Sequence, residues 1–263
     1  MITRAQSKLI RRLKSRKQRE ALGSFLAEGV RLVEELLASG WEAELAVTSP
    51  GLTRSPRGRR LLDEIECQGW TRVEVSDAEL GKLADTRTPQ GVLAVARHPQ
   101  RRLGEFRPGA RAAVVVFDRL ADPGNLGTLL RTAYALGVDW AVALPGTVDP
   151  WNAKAVRAAA GALFRLPLAQ EPWPEVAAWL REQAFIILCA DPAGEVLPRA
   201  GERPERFALV LGNEPAGLST EVRDSCDRRV AVELRDEIDS LNVAVAGALL
   251  LDRLLAAPVA GTD

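Results

Sequence analysis

Histidine and cysteine are scarce in this sequence. Among 263 residues there is one histidine, His98, and there are three cysteines, Cys67, Cys189 and Cys226. A single histidine excludes metal sites with several histidines. No two cysteines have the spacing of a metal site or a redox motif. We therefore interpret the cysteines as three free thiols in a reducing compartment, and expect a cytoplasmic protein without a bound metal.

Long apolar runs and a net charge are also missing. No stretch approaches the roughly 18 apolar residues of a membrane-spanning helix, and the start, MITRAQSKLIRRLK, lacks the apolar core of a secretory signal. We therefore expect no membrane partner. The formal net charge is zero, which removes any global attraction to nucleic acid. A hydrophobic fraction of 47% is enough for a packed core, in one large domain or two smaller ones.

Basic residues are nevertheless concentrated at the start of the chain. Within residues 1–20 the only acid is Glu20, and there are eight basic side chains: Arg4, Lys8, Arg11, Arg12, Lys14, Arg16, Lys17 and Arg19. A neutral protein with a basic end can dock a polyanion. A solvated helix face is an equally good interpretation from charge alone.

Hydrophobic periodicity predicts an α/β protein in two parts. Residues 1–98 alternate between helices and strands, with helices expected at 5–20 and 25–40 and strands at 44–50, 72–76 and 91–98. Residues 99–111 are rich in proline, glycine and arginine and are interpreted as a linker. From 112 to 263, continuously apolar strands alternate with helices, which predicts a parallel sheet covered on both faces.

Three segments at predicted strand ends carry polar residues and glycines. They are DRLADPGNLGTLLRT (118–132), LGNEPAGLS (211–219) and VELRDEIDSLNVA (232–244). Ligands of open parallel sheets bind outside the carboxyl ends of the strands. The three segments are therefore expected to converge on one site.

Each segment alone also has a simpler interpretation. The turn at 123–127 is neither a dinucleotide fingerprint nor a P-loop, and Asn125 could cap the following helix. The run from Gly212 to Glu214 could be an ordinary turn, and Ser240 to Asn242 a helix N-cap. Arg131 lies within an apolar helix, where its five donors need an anion or a carbonyl cluster. The simpler interpretation is a surface-facing arginine or a structural salt bridge, for example with Glu214.

Three motifs in this order and spacing resemble those of a known family. FDRLADPGNLGTLLRTA, LVLGNEPAGLS and IDSLNVAVAGALLL are similar to the motifs of the SpoU/TrmH family of RNA ribose 2′-O-methyltransferases. The resemblance covers about residues 112–257, including NAKAVRAAAGALFRLP at 152–167. Residues 1–98 resemble the family's N-terminal substrate-binding domain of ribosomal-protein L30e type, and the opening is similar to rRNA-directed members.

The resemblance implies a fold, a reaction and a set of site residues. The C-terminal domain would be a methyltransferase domain with a trefoil knot, assembled as a homodimer through that domain. S-adenosylmethionine would be the cofactor, held by Leu211, Gly212, Asn213, Val232 and Leu241. Arg131 would orient RNA phosphate and stabilise the developing alkoxide, Asn125 would contact the ribose or Arg131, and Glu214 would steer Arg131. Ser240 and Asn242 would complete the polar wall, and no metal is required.

RNA docking is assigned to the basic start of the chain. The residues expected to contact it are Arg11, Arg12, Lys14, Arg16, Lys17 and Arg19. Two departures from the family concern the site: Val232 to Asp236 replaces a run that usually contains proline and glycine, and RAAAGALF has alanine where many relatives have serine. Besides an enzyme acting on rRNA, we consider a tRNA methyltransferase and a non-catalytic RNA-binding protein.

Overall fold

A computed structural model describes residues 2–198, 204–235 and 237–256. They form two compact units. The N-terminal unit contains residues 1–100 together with 149–165, and the C-terminal unit contains residues 101–148 and 166–263. The predicted domain boundaries stay a prediction. The compact units differ from them in the segment 149–165, which packs within the N-terminal unit.

The described helices and strands alternate along the chain. In order they are α1 (Arg4–Arg12), α2 (Arg16–Leu22), β1 (Ser24–Glu28), α3 (Val30–Ala38), β2 (Ala43–Thr48), α4 (Pro56–Cys67), β3 (Arg72–Glu74), α5 (Asp77–Leu83), β4 (Val92–Arg97), β5 (Ala112–Asp118), α6 (Pro123–Leu136), β6 (Trp140–Ala143), α7 (Ala153–Ala159), β7 (Leu168–Gln170), α8 (Trp173–Glu182), β8 (Ile186–Val196), β9 (Arg206–Gly212), α9 (Thr220–Asp224), β10 (Arg228–Ala231) and α10 (Val243–Leu255). The α/β class predicted from the sequence is confirmed.

The N-terminal unit has a four-stranded sheet in the order β1-β4-β2-β3. The helix predicted over 25–40 was wrong in its first part, because Ser24–Glu28 is a strand that pairs antiparallel with β4. All five of its residues are buried. A fully buried strand shows no alternation, so its apolar residues merged with those of the helix that begins at Val30. The predicted helix over 5–20 is likewise two helices, α1 and α2.

A cluster of aromatic rings fills part of the N-terminal unit. The ring centroid of Phe25 lies 5.1 Å from that of Trp151 and 5.9 Å from that of Phe164. The His98 imidazole stacks on Trp151 at 4.5 Å and is 8% exposed. Trp151 and Phe164 come from the segment 149–165, so this segment supplies part of the unit's core.

The C-terminal unit has a six-stranded sheet in the order β10-β8-β9-β5-β6-β7. Every neighbouring pair is parallel. The central strand β5 is buried along its whole length, as expected for a strand covered on both faces. The parallel sheet predicted for the second half of the chain is therefore confirmed.

Two of the cysteines are paired. Cys189 and Cys226 form a disulfide with a Cα–Cα distance of 6.0 Å. The interpretation of three free thiols was wrong for these two, because residues 37 positions apart meet where β8 and β10 lie side by side. Cys67 is free and exposed. No cluster of potential metal ligands and no helix able to cross a membrane occurs in the described part of the chain.

Candidate active site

A cavity opens at the carboxyl edge of the sheet in the C-terminal unit. Its volume is about 370 Å³, within the range of small-molecule sites. The middle of β8, the ends of β9 and β10 and the first half of α10 contribute to its walls. All five residues predicted to bind the cofactor line it: Leu211, Gly212, Asn213, Val232 and Leu241. The apolar and small residues of this wall suit an adenosyl group.

Gly212 is required by a close approach within the chain itself. A Cβ atom at this position would lie 2.7 Å from the carbonyl carbon of Gly217 and 2.8 Å from the nitrogen of Leu218. Both are backbone atoms. No side chain fits there unless the loop after β9 moves.

Asn213 holds that loop in shape. Its backbone N–H donates to the Gly217 carbonyl at 3.1 Å, and the Gly217 N–H donates back at 2.9 Å. The side-chain amide donates to the Arg119 carbonyl at 2.9 Å, and its oxygen accepts from the Ala216 N–H at 3.0 Å. Asn213 therefore connects the loop after β9 with the end of β5.

The helix α6 begins earlier than the sequence suggested. Asp122 is its N-cap and accepts a hydrogen bond from the Asn125 N–H at 2.9 Å, with Pro123 in the first turn. The alternative interpretation of Asn125 as the cap was wrong. Because Asp122 takes that role, the Asn125 side chain is available for other contacts.

Asn125, Glu214 and Asn242 form a hydrogen-bonded cluster, which we call the polar cluster. The Asn125 amide donates to Glu214 Oε1 at 2.6 Å, and the Asn242 amide donates to Asn125 Oδ1 at 3.1 Å. Asn242 is also the N-cap of α10, accepting from the Ala244 N–H at 2.9 Å. The three segments expected to converge thus meet here, and Glu214 also lines the cavity.

Ser240 and Arg131 are not part of the polar cluster. Ser240 is exposed and lines the cavity. Arg131 is on the exposed surface of α6 and is not part of the cavity wall. Within the described residues its guanidinium forms no hydrogen bond or ion pair, and the predicted contact with Glu214 is not made. Glu214 bonds Asn125 instead.

Two acids at this edge were not singled out from the sequence. Asp118, at the end of β5, is 2% exposed and accepts a hydrogen bond from the Ser219 N–H. Asp191 lines the cavity, and one carboxylate oxygen accepts from the Ala193 N–H at 3.0 Å. The strand-end argument, applied to AFIILCAD, would have identified Asp191 as it identified Gly212.

The basic start of the chain folds as α1 and α2 in the N-terminal unit. Arg11, Arg12, Lys14, Arg16 and Lys17 are exposed. Arg19 is 5% exposed, and its Nε donates to Asp149 Oδ2 at 2.7 Å. Its Nη1 donates to the Leu13 carbonyl at 2.8 Å. Arg19 therefore holds the unit together internally, unlike the other five side chains assigned to RNA.

Known proteins are similar to this chain over nearly its whole length. The SpoU rRNA methylase family matches residues 112–252, and the MRM3-like substrate binding domain matches residues 5–94. The 23S rRNA (guanosine(2553)-2′-O)-methyltransferase RlmP of Bacillus subtilis is 34% identical over 245 residues, covering 93% of each chain. The 23S rRNA (uridine(2479)-2′-O)-methyltransferase of Streptomyces viridochromogenes is 29% identical over 245 residues, covering 91% of this chain and 85% of the relative.

Solved structures agree with the fold of both units. The AdoMet-bound rRNA methyltransferase of Sinorhizobium meliloti is 29% identical with a TM-score of 0.85, covering 97% of this chain and 95% of its own. The SpoU methyltransferase AviRb of Streptomyces viridochromogenes, in complex with AdoMet, is 27% identical with a TM-score of 0.86, covering 96% and 97%. The chain belongs to the SpoU rRNA methylase family of S-adenosylmethionine-dependent RNA ribose 2′-O-methyltransferases.

Proposed function

We propose that this protein methylates a ribose 2′-hydroxyl of 23S rRNA. The observation that carries the proposal is the cavity with all five expected cofactor residues, bordered by Glu214 of the polar cluster. The two curated relatives described above are named for 23S rRNA. The match of residues 5–94 to a substrate binding domain supports an RNA substrate of the same kind.

The residues of the cavity suit S-adenosylmethionine. When bound, this cofactor supplies an electrophilic methyl group on a sulfonium cation. Leu211, Val232 and Leu241 offer apolar contact. The carboxylates of Asp191 and Glu214 line the cavity together with the Arg223 guanidinium, and Asp191 is paired with Arg229 at 3.5 Å. The loop fixed by Asn213 presents backbone groups for hydrogen bonding, so binding needs few charged side chains.

The polar cluster is proposed to orient the ribose. Asn125 and Asn242 are connected to each other and to Glu214, so their positions are mutually fixed. Only one oxygen of Glu214 is used by Asn125, which leaves the other as an acceptor for a sugar hydroxyl. A fixed acceptor beside the cofactor cavity holds the 2′-oxygen in attacking geometry.

Arg131 is proposed to act on the phosphate next to that ribose. A guanidinium is a permanent cation with donors only and no acceptor atom, so it is not the general base. It would instead bind phosphate and stabilise negative charge on the attacking oxygen. The proton would pass to phosphate or water.

A second copy of the chain is proposed to pack against α6 and α10. These helices pack on one another, and each exposes large apolar side chains: Tyr134 on α6 is 43% exposed, and Val245 and Leu249 on α10 are 49% and 39% exposed. Exposed apolar side chains on adjacent helices are typical of an interface. Light scattering is expected to give twice the monomer mass. The double variant Tyr134→Glu, Val245→Glu is expected to give the mass of a monomer.

Two further expectations from the family are retained as proposals. One is that the C-terminal segment is threaded through a preceding loop, which an experimental trace of residues 204–256 would test. The other is a cytoplasmic location, where rRNA is available, which cell fractionation would test.

The basic face of α1 and α2 is proposed to dock RNA. Arg11, Arg12 and Lys17 are exposed, so their charges can be reversed without breaking the buried ion pair between Arg19 and Asp149. Reversing all three to Glu should weaken RNA binding and lower the slope of log affinity against log salt by about 2 to 3. Unchanged affinity and slope would remove this face from the RNA-binding surface.

The reaction is tested with purified protein, 23S rRNA transcript and tritiated S-adenosylmethionine. Label in rRNA at a mapped 2′-O-methyl site supports the proposal, whereas label only in tRNA overturns the substrate. Absence of cofactor binding in calorimetry, with RNA binding retained, would identify a non-catalytic RNA-binding protein.

The polar cluster is tested by Asn125→Ala. We expect at least a hundredfold loss of kcat with cofactor affinity within about twofold, because misplacing the ribose costs roughly this much. The matched control is Asn152→Ala, which removes an asparagine N-cap of α7 in the N-terminal unit. Full activity of Asn125→Ala would exclude the cluster from ribose positioning.

A further inference from the structure

Arg119 follows β5 directly and has an unusual backbone conformation. Its φ angle is 57°, in the left-handed region that is unfavourable for residues other than glycine. Among the described residues, only Ala160 and Ala184 are further non-glycine positions with positive φ. A left-handed arginine at the edge of the sheet that carries the cavity suggests a use for its side chain.

The surrounding residues hold Arg119 in place from two sides. Its N–H donates to Thr147 Oγ1 at 3.0 Å, and its carbonyl accepts from the Asn213 amide at 2.9 Å. Gly146 leaves room for the side chain, since a Cβ there would lie 2.9 Å from Arg119 Cγ. The backbone of Arg119 is thereby tied to Asn213, which precedes Glu214 of the polar cluster in the chain.

The guanidinium is only partly used within the chain. Its Nε lies 3.3 Å from Asp118 Oδ1 but forms no hydrogen bond. The side chain is 42% exposed, whereas that of Asp118 is 3% exposed. No described residue forms a hydrogen bond with the terminal amines. Asp118 therefore restrains one end of a guanidinium whose outer donors face solvent.

We propose that Arg119 binds a phosphate of the RNA substrate beside the target nucleotide. This inference rests on the proposed function. Two adjacent guanidinium amines match phosphate oxygens in a bidentate geometry. Arg119 is not among the residues that line the cavity expected to hold S-adenosylmethionine, which leaves its guanidinium for the anionic RNA rather than for the carboxylate of the cofactor. Arg119 is thus a second phosphate contact, placed on the strand end rather than on α6.

A purely structural role for Arg119 makes a different prediction. In that case the guanidinium serves as the counter-ion of buried Asp118, and its loss leaves an unpaired buried carboxylate. Stability would then fall steeply and RNA affinity would not depend on the side chain. The two roles are separable because glycine at position 119 relieves the left-handed backbone while removing the cation.

The experiment uses the full-length protein and three variants. Arg119→Gly removes the guanidinium, and Arg119→Lys keeps the charge. The matched control is Ala184→Gly, which relieves the same kind of backbone at the start of β8, at the opposite edge of the parallel sheet. Each is measured for Tm, for S-adenosylmethionine binding by calorimetry, and for binding and methylation of 23S rRNA over a range of salt.

For Arg119→Gly we expect a Tm within about 3 °C of the unmodified protein and unchanged cofactor affinity. Its RNA affinity should fall about tenfold, and its salt slope should decrease by about 0.7 to 0.9, the value of one phosphate contact. Arg119→Lys should keep the salt slope, and Ala184→Gly should resemble the unmodified protein in every RNA measurement.

For Arg119→Gly, a Tm lower by about 10 °C with unchanged RNA affinity and salt slope would overturn the proposal. The role of Arg119 would then be that of a counter-ion for buried Asp118. Equal RNA affinity at equal Tm would overturn it as well. The unmodified protein separates this inference from the proposed function: if it binds and methylates 23S rRNA while Arg119→Gly does so equally, only the role of Arg119 fails.

Discussion

At the scale of single residues, charge alone did not distinguish surface from core. Arg19 has the same sequence context as its basic neighbours, but it reaches Asp149, 130 positions away, and both side chains are 6% exposed. No local pattern contains that contact. The neighbouring pair Arg16–Glu20, whose side chains are 50% and 56% exposed, fits the solvated helix face that the sequence allowed.

Arg19→Ala is therefore expected to destabilise the protein. It leaves Asp149 buried without its partner, which costs about 3–5 kcal/mol, whereas Arg16→Ala breaks an exposed pair and costs at most about 1 kcal/mol. Urea denaturation of both variants measures the difference. A loss below about 1 kcal/mol for Arg19→Ala would show that water compensates Asp149.

His98 gives the stability a dependence on pH. Burial lowers the pKa of its imidazole below the usual value of 6.5, although Asp149 acts in the opposite direction. The unfolded chain then takes up a proton that the folded protein does not. The free energy of unfolding should fall as the pH decreases from about 6.5 towards the lowered pKa. Denaturation at several pH values tests this, and His98→Phe, which keeps a ring on Trp151, should flatten the curve in this range.

At the scale of elements, the sequence was informative where a strand ends in a distinctive turn. The three motif segments were expected to meet, and Asn125, Glu214 and Asn242 do so. It was uninformative where a strand is short and wholly buried, as in Ser24–Glu28, because burial on both faces removes the alternation. Which side chain Glu214 contacts depends on side-chain rotamers, and the spacing of residues in the sequence does not determine these.

The loop after β9 offers a test at this scale. Gly212→Ala forces a Cβ against the backbone of Gly217 and Leu218, so we expect a lower Tm and at least tenfold weaker binding of S-adenosylmethionine. The control is Gly81→Ala on the exposed surface of α5, where no atom lies within 4 Å of the added Cβ. That change should stabilise the protein by about 0.5–1 kcal/mol. Unweakened cofactor binding by Gly212→Ala would show that the loop adapts.

At the scale of the whole molecule, the disulfide joins parts of the sheet that are distant in sequence but adjacent in space. Cys189 and Cys226 are 37 positions apart, and the loop between them includes β9. In the chain-entropy description, closing such a loop stabilises the oxidised protein by about 3–4 kcal/mol. Unfolding with and without reductant should differ by this amount, and Cys226→Ala should abolish the difference. Cys67→Ala should preserve it, since Cys67 is free; an equal loss there would point to a different pairing.

The segment 149–165 has a consequence for exchanging parts between relatives. It contributes Asp149, Trp151 and Phe164 to the N-terminal unit, although it follows β6 in the chain. A fragment cut at residue 100 would lack the acid that holds Arg19 and two rings of its own interior. Chimaeras that join the N-terminal unit of one relative to the C-terminal unit of another should therefore fold only if residues 1–100 and 149–165 are exchanged together.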